Sequence, residues 1–359
     1  MNENYFMGLD GFVWFVGVVE NRNDPAKLGR VQVRCLGYHT ENLIDIPSAD
    51  LPWAHVMHPV TDPAMQGLGN SPSFLTEGTW VIGYFRDANE KQQPVILGSL
   101  PGVPQAIADN TKGYNDANGT YPGTITHSDH TIEESDVNRL ARNDTDKPHK
   151  VIADKDDAVT TEVPIANSDT TFSEPKSTYA ATYPKNHVFE SESGHIREYD
   201  DTTDNERIHE YHKKGTFYEI DKDGNKITRI VGDNYEILHK DNYINVKGTV
   251  NLTIDSDCNT YIKKNWNIQV DGDKTETIKG THTVTAATGA VTYTTGDVKA
   301  NSISLTDHTH TEPAGISGSE TSTPVSYTHL RAHETPEQRV GRGVGEKKKR
   351  GGGGGGGGG

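Results

Sequence analysis

The 359-residue sequence predicts an all-β protein: an N-terminal barrel, a polar linker, and a stem of stacked short strands. Three observations carry this reading. Short alternating apolar runs separated by Gly/Pro turns fill the first hundred residues, which is strand patterning. The next eighty residues are poor in large apolar side chains. From Ile230 onward one aliphatic residue recurs every eighth position, the signature of a repeat architecture. A hydrophobic fraction of 32% with 37 glycines is thin for two ordinary globular cores, so something else must hold the middle of the chain.

Residues 1–103 form the predicted barrel. WFVGVVENRNDPAKLGRVQVRCLGYH gives a strand at 14–20, a turn at Asn23, Asp24 and Pro25, and a second strand at 30–36 with Val31, Val33 and Cys35 on one face. LPWAHVMHPV, GTWVIGYF and QPVILGSL supply three more strands. Five short strands suit a small barrel, and a small β sandwich fits the same pattern. GFVWFVGVV, from Gly11 to Val19, is too short to span a bilayer and has no basic leader, so it reads as a buried strand.

Residues 104–183 have linker chemistry, rich in Asp, Thr, Asn and Pro. A short helix is expected near 132–142. His127 and His130 of HSDH could bind a metal, but in so polar a stretch solvated side chains are the simpler reading, and carboxylates are too numerous for any two to be nominated as an acid/base pair.

The stem is assigned to 184–300 and its tip to 301–324. Strands begin again at HVFESESGHIREYDDT and RIHEYHKKGTFYEID. Ile230, Leu238, Val246, Ile254, Ile262, Val270 and Ile278 then repeat with period eight, and two positions further on stands a small residue in five of seven cases. Each octad is a short strand with one inward face and a turn. Ordering eight backbone residues costs about 8–16 kcal/mol, which the one to three apolar side chains of an octad cannot offset alone. Burial must come from neighbours. Either one chain winds a triangular solenoid with three octads per coil, or three chains each supply one wall of a prism, which makes the fold an obligate trimer.

In SLTDHTHTEP, His308 and His310 lie two residues apart, so an extended strand aims both imidazoles to one side. In a three-chain prism they become six nitrogen ligands around one axis, which suits an octahedral first-row metal such as iron or nickel, whereas zinc usually takes four. In a lone chain the two would be solvated. His282, within the stem, stands alone and reads as structural or solvated.

The formal charge of −16 argues against nucleic-acid binding, which depends on Lys/Arg neutralising phosphates. From about Val325 the composition changes abruptly, and VSYTHLRAHET followed by a glycine run resembles the in-frame translation of a sequencing-library adapter, so residues 325–359 are set aside. Without residues 326–359, which hold seven Lys/Arg and three Asp/Glu, the charge is −20. Cys35 and Cys258 have no disulfide or metal spacing. There is no Ser-His-Asp set, phosphate-binding glycine loop or HExxH motif.

Together these stretches resemble the central spike of contractile injection machines, namely the baseplate hub spike of contractile-tailed bacteriophages and, more distantly, the valine-glycine-repeat spikes of type VI secretion. WFVGVVENRNDPAKLGRVQVRCLGYH is similar to the family's oligonucleotide/oligosaccharide-binding (OB) barrel, ESESGHIREYDDT to its junction, the octads to its intertwined triple-stranded β-helix, and DHTHTEP to the histidine pair that holds iron at many needle tips. The resemblance implies a homotrimer in the virion's tail baseplate, one iron per trimer at His308 and His310, and docking of the barrel on hub and tail-tube proteins. It also implies mechanical puncture of the host outer membrane during sheath contraction. Some phage members carry a lysozyme domain between barrel and stem; the interval 104–183 is too short and too polar for one, so no enzymatic activity is expected. A tail-associated peptidoglycan hydrolase and a single-chain β-solenoid adhesin are the alternatives.

Overall fold

The computed structural model describes residues 12–123, 132–152, 161–288, 298–300 and 303–304. Two compact units, Met1–Thr260 and Tyr261–Gly359, divide the chain. Almost all regular structure is strand.

The first five strands, β1 (Val13–Asn21), β2 (Val31–Cys35), β3 (Trp53–Val56), β4 (Trp80–Phe85) and β5 (Pro94–Ser99), close into a barrel. The order around it is β1-β2-β3-β5-β4, with β3 and β5 parallel and the other pairs antiparallel. The sandwich alternative is thereby excluded. Alternation explains the core: Phe15, Val19, Val31, Val33, Cys35, Val81, Phe85 and Ile96 point inward and pack as one cluster. Gly83 is required where β4 bends past β5, since a Cβ there would stand 2.2 Å from the Val95 carbonyl oxygen.

β2 is buried on both faces. On its outer side Arg34 donates to both carboxylate oxygens of Glu20 (2.6 and 3.0 Å) and to the carbonyls of Thr40 and Ile46. Glu20 also accepts from the Ser48 hydroxyl and the Tyr114 backbone N–H. Every lone pair of this buried ion pair thus meets a donor, the condition for tolerating charge away from water. The Tyr114 contact ties the polar interval to the barrel.

That interval holds a single-turn helix, α1 (Arg139–Arg142), capped by the Asn138 side chain, and the two-residue strands β6 (Val163–Pro164) and β7 (Thr171–Phe172). The helix falls at the end of the expected 132–142 segment. Although its composition is that of a linker, Leu140 and Val151 are buried, because a second sheet lies beneath them. HSDH lies outside the described residues.

The second sheet is antiparallel in the order β12-β11-β10-β9-β8, built from β8 (Asn186–Glu190), β9 (Ile196–Asp200), β10 (Arg207–Tyr211), β11 (Phe217–Ile220) and β12 (Lys226–Arg229). Strands joined by tight turns at Gly194, Gly215 and Gly224 make it a local meander distinct from the octads that follow. A last pair, β13 (Lys299–Ala300) with β14 (Ile303–Ser304), lies in the second unit. No helix among the described residues is long and apolar enough to cross a membrane.

Candidate functional site: collar and octad stem

The five-stranded sheet forms a collar from which the octads run. Its inner face carries charges where a core would be expected. Arg207 donates to Glu198 (2.7 Å) and Glu219 (3.0 Å), His209 pairs with the other Glu198 oxygen at 2.5 Å, and Asn186 donates to Glu198 as well. All four charged or ionisable groups are essentially inaccessible. Burial alone would raise the Glu198 pKa, but the His209 hydrogen bond and the Arg207 charge outweigh it, holding the carboxyl at about 2. The face is closed by Leu140, Val151 and Tyr179, whose ring lies 5.0 Å from the Arg207 guanidinium carbon.

At the collar's edge Arg22 of the barrel makes a two-pronged contact with Glu192 (2.7 and 2.8 Å) and reaches Glu77 at 3.1 Å, while Phe74 packs edge-on against Phe189. Alternating charges in IREYD and RIHEY look like solvent-facing patterning, so nothing local in the sequence marked this network as buried. Only the covering interval makes it so.

Beyond Arg229 the backbone changes character. Two-residue bends recur at 231–232, 239–240, 247–248, 255–256, 263–264, 271–272 and 279–280, each separated from the next by six residues that belong to no regular element. Each bend follows directly on a member of the aliphatic column. Residues 232–276 form no backbone ladder with any other described residue. Ile230, Leu238, Val246, Ile254, Ile262, Val270 and Ile278 are 42–54% exposed, and Ile244 and Leu252 on the same side more so. The period of eight is therefore present in the backbone.

His308, His310 and the whole 305–359 segment, including the adapter-like tail, lie outside the described residues. Among the described residues no group of three or more His, Cys, Asp or Glu side chains is placed to hold a metal. Cys35 is buried in the barrel, which pushes its thiol up to about 12, and Cys258 is exposed.

A closed OB-like barrel, a charged five-stranded sheet and an eight-residue backbone repeat define an all-β chain of barrel and repeat. Comparison with known proteins agrees. The family described as the Gp5 N-terminal OB domain matches residues 38–188. Protein Gp5 of Vibrio phage KVP40 is 42% identical over 294 residues, 74% of this chain and 68% of that protein. The pre-baseplate central spike protein Gp5 of Enterobacteria phage T4 is 38% identical over 126 residues, 34% of this chain and 22% of that one. The chain belongs to the Gp5 family of phage baseplate central spike proteins, and its location is the virion tail baseplate.

Proposed function

We propose that three copies of this chain assemble into the central spike of a phage tail baseplate, and that the spike acts mechanically rather than as an enzyme. The observation that supports this best is the octad segment, in which residues 232–276 have no backbone ladder among the described residues and a half-exposed aliphatic column repeats every eight residues. Leaving both uncovered is unfavourable, and two further copies with the same period supply partners for backbone and side chains alike. The octads then wind as an intertwined triple-stranded β-helix. Sheath contraction drives that rigid stem through the host outer membrane.

In this reading the barrel seats the trimer on hub and tail-tube proteins. His308 and His310 from three copies offer six imidazole nitrogens, a donor set that fits one iron, which would tie the three chain ends together at the point. The described part of 104–183 folds as a short cover over barrel and collar, which supports a spike without an inserted lysozyme.

The test is sedimentation of the purified chain together with its metal content. A trimer with about one iron per three chains is expected, and replacing His308 and His310 with alanine removes the metal while leaving the trimer. A folded monomer would overturn the proposal, and peptidoglycan turnover by the purified chain would overturn its non-enzymatic part.

A further inference from the structure

A strict eight-residue repeat creates a problem of alignment. The aliphatic column would mate nearly as well if one copy slid past another by one octad, just as uniform strands slip in register. Something in the inner face must therefore distinguish one level from the next. On the column's side of the strand, the two preceding alternate positions are uncharged in all four central octads, and both are apolar in two of them, Val250 with Leu252 and Trp266 with Ile268. The octad ending at Ile278 differs: it places Lys274 and Glu276 there, with Nζ 3.1 Å from Oε2 and both side chains more than half exposed. Glu236 in the first octad is acidic too, but Asn234 beside it supplies no opposite charge.

Resting on the trimer reading, we propose that Lys274 and Glu276 are the register-determining residues of the contact between copies, the partner being a second copy of this same chain. In register, three ammonium groups and three carboxylates meet at one level. Their charges sum to zero, and each has an opposite charge both within its own strand and across the contact. A slide of one octad sets Lys274 and Glu276 against Trp266 and Ile268 of the neighbour, burying charges where that neighbour offers none. Losing the opposite charge across the contact in a dry interior is unfavourable even though the pair within each strand survives, so the slipped assembly is rejected although the paired assembly gains little over an apolar one. A single polar layer fixes alignment in coiled coils by the same logic.

The experiment uses the full chain with a spin label at Asn267→Cys, on the polar side of the strand, in a Cys258→Ser background. Buried Cys35 stays unlabelled. Pulsed dipolar spectroscopy then measures distances between copies. The otherwise unaltered chain gives one narrow distance. Lys274→Ile with Glu276→Val, which makes this octad resemble its neighbours, keeps the trimer but adds a second population at longer distance, comparable in size to the first. The exchange Lys274→Glu with Glu276→Lys restores the single distance. Retention of one unchanged distance in the Ile/Val variant overturns the proposal while leaving the trimer standing. No distance between copies in the unaltered labelled chain overturns the trimer reading, and the proposal with it.

Discussion

Arg207 sits between two buried carboxylates, Glu198 and Glu219, with the Tyr179 ring over its guanidinium. Replacing it with methionine keeps the volume but takes the positive charge from between two buried carboxylates, so Arg207→Met is expected to destabilise the collar by about 3–5 kcal/mol in urea unfolding. Glu198 gives the same region a pH dependence. Its folded pKa of about 2 lies below the ordinary carboxylate value, so its contribution is complete above that ordinary value and is lost as pH falls through about 2. The loss amounts to something on the order of 3 kcal/mol. Thermal unfolding followed from pH 6 to pH 2 should show it, and Glu198→Gln should flatten that part of the slope. At this scale the barrel was readable: Val31, Val33 and Cys35 alternate toward the core as their spacing requires. Gln32 and Arg34 were not. They are buried because residues 40–51 and Tyr114 cover the outside of β2, and no local pattern announces a cover that comes from eighty residues away.

Among elements, α1 and the collar are mutually dependent. Leu140 is 1% exposed, and its carbonyl accepts from the Tyr179 hydroxyl (2.7 Å) and the Asn186 amide (3.1 Å). A four-residue helix has no stability of its own, since one turn fixes many dihedrals for a single hydrogen bond. It persists because Leu140 fills the collar's inner face. Leu140→Ala is expected to cost about 2–5 kcal/mol. Hydrogen exchange should quicken in β8 to β12 while β1 to β5 stay protected; equal loss in both would mean that barrel and collar unfold as one unit. The strands themselves were legible from their alternation. That the polar interval acts as the collar's lid was not, because a few buried residues among many polar ones leave composition almost unchanged.

For the whole molecule, the decisive quantity is association. Placing Asp at Ile254 and Ile262 would bring six carboxylates into a closed core if three chains meet there, and a charge buried without a partner is far costlier than the contacts it displaces. Sedimentation of Ile254→Asp/Ile262→Asp should therefore show unassembled chains with an intact barrel. Normal assembly would place the aliphatic column on the outside instead.

The strand pattern of the barrel and the period of eight are legible along the chain, because both are written as local alternation or recurrence of side chains. The sequence by itself could not show the barrel's closure in the order β1-β2-β3-β5-β4, the separate meander of the collar, or the burial of Glu198, Arg207 and His209. Those depend on which distant segments come to cover a face. Burial is a property of the covering partner as much as of the residue, so only the tertiary structure could decide it.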